Sequence, residues 1–284
     1  MGKKVLLIGV AVALGVVACA PQATAPPQAT GSPSGCAKDQ LTTLAAHRLT
    51  IGTDEPVYPP WFIADQPTNG QGFESAVAYA VAGKLGYAKD DVSWVRVTFD
   101  KAIAPGTKAY DLDVDEFSIT EERKKAVDFS SPYYDITQTV IALKTSKIAG
   151  AKTVAELKGA KLGAQVGTTS LRAITDVVKP TQEPSVYNNN DDAKQKLADG
   201  AIDGLVLDLP TAFYMTSAQL DNAVIVGQLP QPAGQPEQLG LVLDKGSPLT
   251  RCVSQAVDAL RADGTLTALG TQWLTKVAGA PILG

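Results

Sequence analysis

The chain has 284 residues, 45% of them hydrophobic and 19% charged, with a formal net charge of −4. An acidic chain is a poor partner for a phosphate backbone, so no nucleic-acid role is expected. One histidine and three cysteines show no zinc-ligand spacing; neither a metal centre nor a histidine-based triad is expected, and His47 reads as a surface residue.

Lys3 and Lys4 precede an apolar run over residues 5–17. A membrane-spanning helix needs roughly 20 apolar residues, so residues 1–18 read as a cleaved signal peptide rather than an anchor. The run ends in Val16-Val17-Ala18-Cys19, which resembles the lipobox of bacterial lipoproteins, where the cysteine is lipidated and becomes the new N-terminus. An ordinary cut near Ala18 beside an incidental cysteine is the alternative. From Ala20 to Gly35 the chain is Pro, Ala, Thr, Gln, Ser and Gly without periodicity, so residues 19–38 are read as the lipidated cysteine and a disordered linker.

Beyond the linker, strand and helix patterns alternate. Leu49 to Thr53 reads as a strand, Phe73, Val77, Val81 and Leu85 form one stripe of a helix, and Val92 to Phe99 returns as a strand. Thr137 to Leu143 leads into the capping box Thr153-x-x-Glu156. Then follow a strand from Lys161 to Val166, a helix from Ser170, a strand from Ser185 to Tyr187, a helix across Asp191 to Ala198 and a strand from Gly204 to Leu207. Two closing helices, Pro248 to Ala262 and Thr265 to Val277, are split at Asp263-Gly264. Such alternation predicts an α/β fold, with parallel or mixed sheet covered by helices.

The stretch Tyr110 to Tyr134 concentrates the chemistry. A short strand leads to Ser118 and Thr120, which stand before Glu121 and Glu122 as a helix N-terminus is written, and Arg123 follows. Arg123 there either takes a carboxylate by two parallel hydrogen bonds or pairs with Glu121, Glu122 or Asp128 on a solvated surface. Gly167-Thr168-Thr169-Ser170 is open in the same way, as a plain capping turn or as an anion site. Asp208, at the end of an apolar strand, is costly to leave unpaired and calls for a cationic partner.

The wording SITEERKKAVDFSSPYYD resembles the family 3 extracellular solute-binding proteins, polar amino acid receptors of ABC importers. Further matches run in order from about Leu49 to about Leu274: LTIGTD, YPPWF, GFESAVAYAVAGKLG, KLGAQVGTTS, DGLVLDLPTA and LRADGTLTALGTQWL. The resemblance implies a two-lobed periplasmic-binding-protein-like fold (type II), its lobes joined by two crossing segments near Pro132 to Thr137 and Gly227 to Gln235. Lobe 1 would comprise 39–131 plus 236–284, with the hinge segments and lobe 2 in 132–235. It implies an extracytoplasmic, lipid-anchored, monomeric receptor that needs no cofactor, captures an amino acid and delivers it to a permease.

By the same resemblance Arg123, Ser118, Thr168 and Thr169 meet the ligand's α-carboxylate and Asp208 its α-ammonium. Asp54, Tyr58, Trp61, Phe99 and Glu116 would set side-chain selectivity, although buried aromatics are as often plain core. Glu116 departs from the family, which often has a small residue there, commonly glycine. Either it turns away and offers only its carbonyl, or it narrows the pocket, and with Asp54 favours a polar or cationic solute. With Cys19 lipidated, Cys36 and Cys252 are an even pair in an oxidising compartment, so a disulfide is expected. Two other readings stand beside this non-enzymatic one: a dehydratase-like enzyme acting on an amino acid, with Glu116 or Asp54 as its acid or base, and a ligand-sensing lipoprotein.

Overall fold

The computed structural model describes residue 2 and residues 35–231, 236–274 and 279–284. The signal peptide apart from residue 2, Cys19, and the linker up to residue 34 lie outside these residues, as does part of the second expected crossing segment. Among the described residues no helix is long and apolar enough to cross a membrane.

In chain order the elements are β1 (Leu49–Thr53), α1 (Phe73–Lys84), β2 (Val92–Arg96), α2 (Phe99–Ile103), β3 (Leu112–Asp113), β4 (Val127–Phe129), β5 (Tyr134–Ile136) and β6 (Gln138–Leu143). Then come β7 (Leu162–Gln165), α3 (Thr169–Ala173), β8 (Ser185–Tyr187), α4 (Asn190–Ala198), β9 (Gly204–Asp208), α5 (Leu209–Tyr214) and β10 (Ala223–Gln228). The chain closes with β11 (Glu237–Leu239), β12 (Val242–Asp244), α6 (Thr250–Ala262) and α7 (Thr265–Leu274).

Two five-stranded sheets result, ordered β2-β1-β3-β12-β4 and β10-β6-β9-β7-β8. Each mixes parallel pairs, such as β1 with β2 and β7 with β9, with antiparallel ones, such as β12 with β4 and β6 with β9. A two-stranded antiparallel ladder of β5 and β11 lies where the chain passes between the sheets. The fold is therefore two-lobed and α/β.

Each lobe has its own core. In the first, Phe73, Val77, Val81 and Leu85 are all fully buried, so the predicted stripe of α1 faces inward against α6 and α7. Each such side chain contributes about 1.5–3 kcal/mol. In the second lobe Leu205 and Leu207 of β9 join one apolar cluster and Val206 joins another. A period of two with both outcomes buried is what a strand covered on both faces requires.

Gly72, ahead of α1, takes φ +96°, and a Cβ there would lie 2.3 Å from the Trp61 carbonyl oxygen. Only glycine lets the 61–62 backbone pass so close. Cys36 and Cys252 are joined, with Cα atoms 5.5 Å apart, tying the start of the first lobe to α6.

Three expectations on elements and lobes need correction. The helix written after Thr120 is a single 3₁₀ turn, Arg123–Lys125, because Val127–Phe129 is taken up by pairing with β12. The strand expected to Phe99 stops at Arg96, and Phe99 instead opens α2. The resemblance puts the tail in lobe 1 with the rest of 236–284. Its described part binds lobe 2: Leu283 donates its N–H to the Gln228 carbonyl at 2.9 Å and packs in the second-lobe core.

Candidate functional site

Loops at the carboxyl ends of the strands and the openings of helices meet between the lobes, where α/β folds place their ligands. Asp54, Pro56 and Tyr58 follow β1, Phe99 opens α2, Asp115 and Glu116 follow β3, and Arg123 sits in its 3₁₀ turn. From the other lobe come Gln165, Thr168, Thr169 and Ser170 around the start of α3, Asn190 at the start of α4, and Leu207 and Asp208 at the end of β9. Together they line a narrow cavity of about 40 Å³.

Arg123 is set in place by its own turn, where the Thr120 hydroxyl accepts its backbone N–H at 3.1 Å. Its guanidinium is 8% exposed and lies 5.3 Å over the Phe99 ring, which stacks on Phe117. Nη1 donates to the Ser118 carbonyl at 2.7 Å, and Nη2 donates across the cleft to the Gly167 carbonyl at 2.9 Å. Burial pushes its pKa down to about 10, which leaves it cationic at neutral pH. A guanidinium has five N–H groups, so donors remain for a ligand.

On the facing lobe, Thr168 caps α3 by accepting the Leu171 N–H at 3.2 Å. Asp208 accepts from Gln138 Nε2 at 2.7 Å, and the other end of that amide accepts from the Ser170 hydroxyl at 2.6 Å. Burial, and after it the nearby Glu237 charge, push the Asp208 carboxyl up to about 7. Glu237 itself accepts from the Ser118 hydroxyl at 3.0 Å, and that hydroxyl stands 3.2 Å from Thr169 Oγ1.

Glu116 takes a left-handed φ of +55°. Few residues other than glycine adopt that region. Its backbone N–H donates to Glu74 Oε1 at 2.8 Å, while its carboxylate lines the cavity and accepts from the Thr211 hydroxyl of α5 at 3.2 Å. Beneath it Glu74 is fully buried; Oε1 also accepts from Tyr133, while Oε2 has no hydrogen-bond partner. Among the described residues Glu74, Asp115 and Glu116 form the one acidic group with oxygens within 4.8 Å of one another. Burial first, and after it the Asp54 charge on Asp115 and the Glu74 charge on Glu116, hold these two carboxyls well above the usual carboxylate range, and burial pushes Glu74 up to about 7.

Comparison with known proteins decides the family. The description "Bacterial extracellular solute-binding proteins, family 3" matches residues 49–276. The chain belongs to that family. The L-arginine-binding protein of Pseudomonas aeruginosa is 31% identical over 232 residues, covering 79% of this chain and 87% of the relative. The L-cystine-binding protein TcyJ of Escherichia coli is 29% identical over 227 residues, covering 79% of this chain and 82% of that protein. Among solved structures, an ancestral arginine-binding protein bound to glutamine superposes with a TM-score of 0.67 at 31% identity, covering 80% of this chain and 98% of that one.

In this family 3 solute-binding protein the cavity collects Arg123, Thr168, Thr169, Asp208, Glu116, Asp54, Tyr58 and Phe99 of the residues singled out from sequence. Burial, and after it the Asp191 charge, hold the Tyr58 phenol above its ordinary value, and burial raises Asp54. Ser118 lies just behind the wall, bonded to Glu237. Trp61 does not line the cavity. It is fully buried in first-lobe core, edge-on to Phe73 and Tyr134 at 6.0 Å each, and its indole N–H donates to Thr211 Oγ1 at 2.7 Å.

Sequence reading missed Asp115, Gln165 and Asn190 in the wall, and Gln138 and Glu237 behind it. Asp115 carried a usable signal, a carboxylate within a run of apolar strand residues. Gln138 and Glu237 carried none, since each acquires its role only by tertiary contact.

Proposed function

We propose that this solute-binding protein captures a free amino acid with a polar or cationic side chain and hands it to the permease of an ABC importer, with no chemistry on the solute. One observation carries the reading: a buried cation, Arg123, and a half-buried carboxylate, Asp208, stand in the walls of a single cavity. A zwitterion answers both. Its α-carboxylate takes the free donors of Arg123, with Ser118, Thr168 and the N–H groups opening α3 alongside; its α-ammonium pairs with Asp208. An arriving ammonium would draw the Asp208 carboxyl back toward its ionised form.

At the other end of the cavity Asp54, Asp115 and Glu116 face the solute, and among the lining residues Arg123 is the sole cation. That excess of carboxylates favours a cationic side chain over an acidic one, in keeping with a relative named for L-arginine. Tyr58 and Phe99 would flank it. Contacts to both lobes favour closure, and the closed form is what the permease reads. The lobes are taken as 39–131 with 236–274, and 132–231 with the tail 279–284. A lipid at Cys19 holds the protein, a monomer, on the outer side of the cell membrane.

The test is a thermal-shift panel of the common amino acids, one at a time, on protein from Cys36 onward, stripped by unfolding and refolding, with calorimetry on each hit. Arginine or lysine is expected to bind in preference to glutamate and aspartate. Binding of acidic amino acids alone would refute the charge argument, and no shift with any amino acid would refute the receptor reading.

A further inference from the structure

Thr211 lies in the first turn of α5, on the second lobe, and is 1% exposed. A threonine hydroxyl offers one donor and two acceptor positions. Here two residues of the first lobe use it from opposite sides: the Trp61 indole N–H donates to Oγ1 at 2.7 Å, and Oγ1 donates to Glu116 Oε2 at 3.2 Å. Neither first-lobe residue is free to follow Thr211 if the lobes part. Trp61 is wedged edge-on between Phe73 of α1 and Tyr134 of the crossing strand β5, and Glu116 is held by its backbone bond to Glu74.

We propose that Trp61, Thr211 and Glu116 form an interlobe clasp, in which Thr211 is a positioning residue that holds the cleft closed and fixes the Glu116 carboxylate in the cavity wall. Every bond of the clasp runs from protein to protein. It therefore contributes to closure beside whatever contacts the solute itself makes with the two lobes. Opening leaves the indole N–H and the hydroxyl to find water, while closing without the hydroxyl buries an indole donor unpaired, which is costly. A carboxylate acceptor at one end strengthens the chain of two bonds. The inference rests on the two-lobed fold and not on the identity of the amino acid.

The test follows hydrogen–deuterium exchange of the Trp61 indole N–H in the full-length protein by NMR, with Trp61→Phe identifying its signal among the three tryptophans. Thr211→Val keeps the shape and removes the hydroxyl; Thr211→Ser keeps the hydroxyl. Exchange is expected to quicken roughly tenfold in Thr211→Val and to stay within about twofold of the parent in Thr211→Ser. Unchanged exchange in Thr211→Val, or equal quickening in both variants, would overturn the clasp, because burial alone would then protect the indole. If Thr211→Val does not fold, Trp61→Phe gives a second reading: it keeps a ring and loses the donor. Its radius of gyration by small-angle scattering should rise above that of the parent, and an unchanged radius overturns the proposal.

Discussion

Replacing Glu74 with Gln tests whether the acidic floor of the cleft sets how stability follows pH. The Glu74 carboxyl is fully buried, accepts the Glu116 N–H and the Tyr133 hydroxyl on one oxygen, and has a second oxygen without a hydrogen-bond partner. Burial raises it from 4.5 to about 7. A carboxyl raised on folding binds its proton more tightly in the native state. Its contribution to stability is complete below pH 4.5 and is lost as pH climbs through about 7. At about 1.4 kcal/mol per pH unit the loss amounts to at most about 3 kcal/mol. Glutamine keeps an acceptor toward Glu116 and Tyr133 and cannot ionise. Urea unfolding at pH 5, 6, 7 and 8 should show the parent losing stability relative to Glu74→Gln as pH rises, with the variant gaining most at pH 8. Asp208 titrates in both proteins and largely cancels from the difference. A difference that stays flat from pH 5 to 8 would refute the reasoning.

Arg123→Ala should weaken the amino acid found by the panel at least about 100-fold by calorimetry, since it removes a buried charged partner, while circular dichroism stays that of a folded protein. Undiminished affinity would mean that the carboxylate binds elsewhere. Removing the Cys36–Cys252 bond by a double serine replacement should cost about 2–5 kcal/mol in urea unfolding and leave affinity alone, because both cysteines belong to one lobe; a loss of affinity without a loss of stability contradicts this. Gly72→Ala forces a Cβ against the Trp61 backbone at a positive φ, and about 3 kcal/mol or more should be lost from the thermal unfolding of this variant. A change under about 1 kcal/mol would mean that the 61–62 loop moves aside freely.

What could be read in advance was whatever one segment determines by itself. The α1 stripe, the capping box at Thr153 and Glu156, and the cap at Thr168 depend on neighbours in sequence, and each stands where its pattern put it. Asp208 stood out because a charge at the end of an apolar strand needs a partner, whereas Arg123, among Glu121, Glu122, Lys124 and Lys125, was singled out by the family resemblance. Where a distant segment competes, local reading fails. Thr120 does cap a turn, but β12 claims the next residues for a strand. Ser118 and Glu237 are 119 residues apart, and no local pattern forecasts that they meet. Trp61 shows a related limit, since an aromatic near a cleft reads alike whether its ring faces solute or core.

The placement of Cys36 and Leu283 on different lobes has a practical use. Cys36 enters the core of the first lobe, whereas Pro281 and Leu283 are stitched to β10 of the second. Fluorescent proteins attached beside Cys36 and beside Leu283 therefore ride on different lobes of the molecule. Energy transfer between them would report a change in the separation of the lobes, which would make a pair attached at these two places a genetically encoded solute sensor.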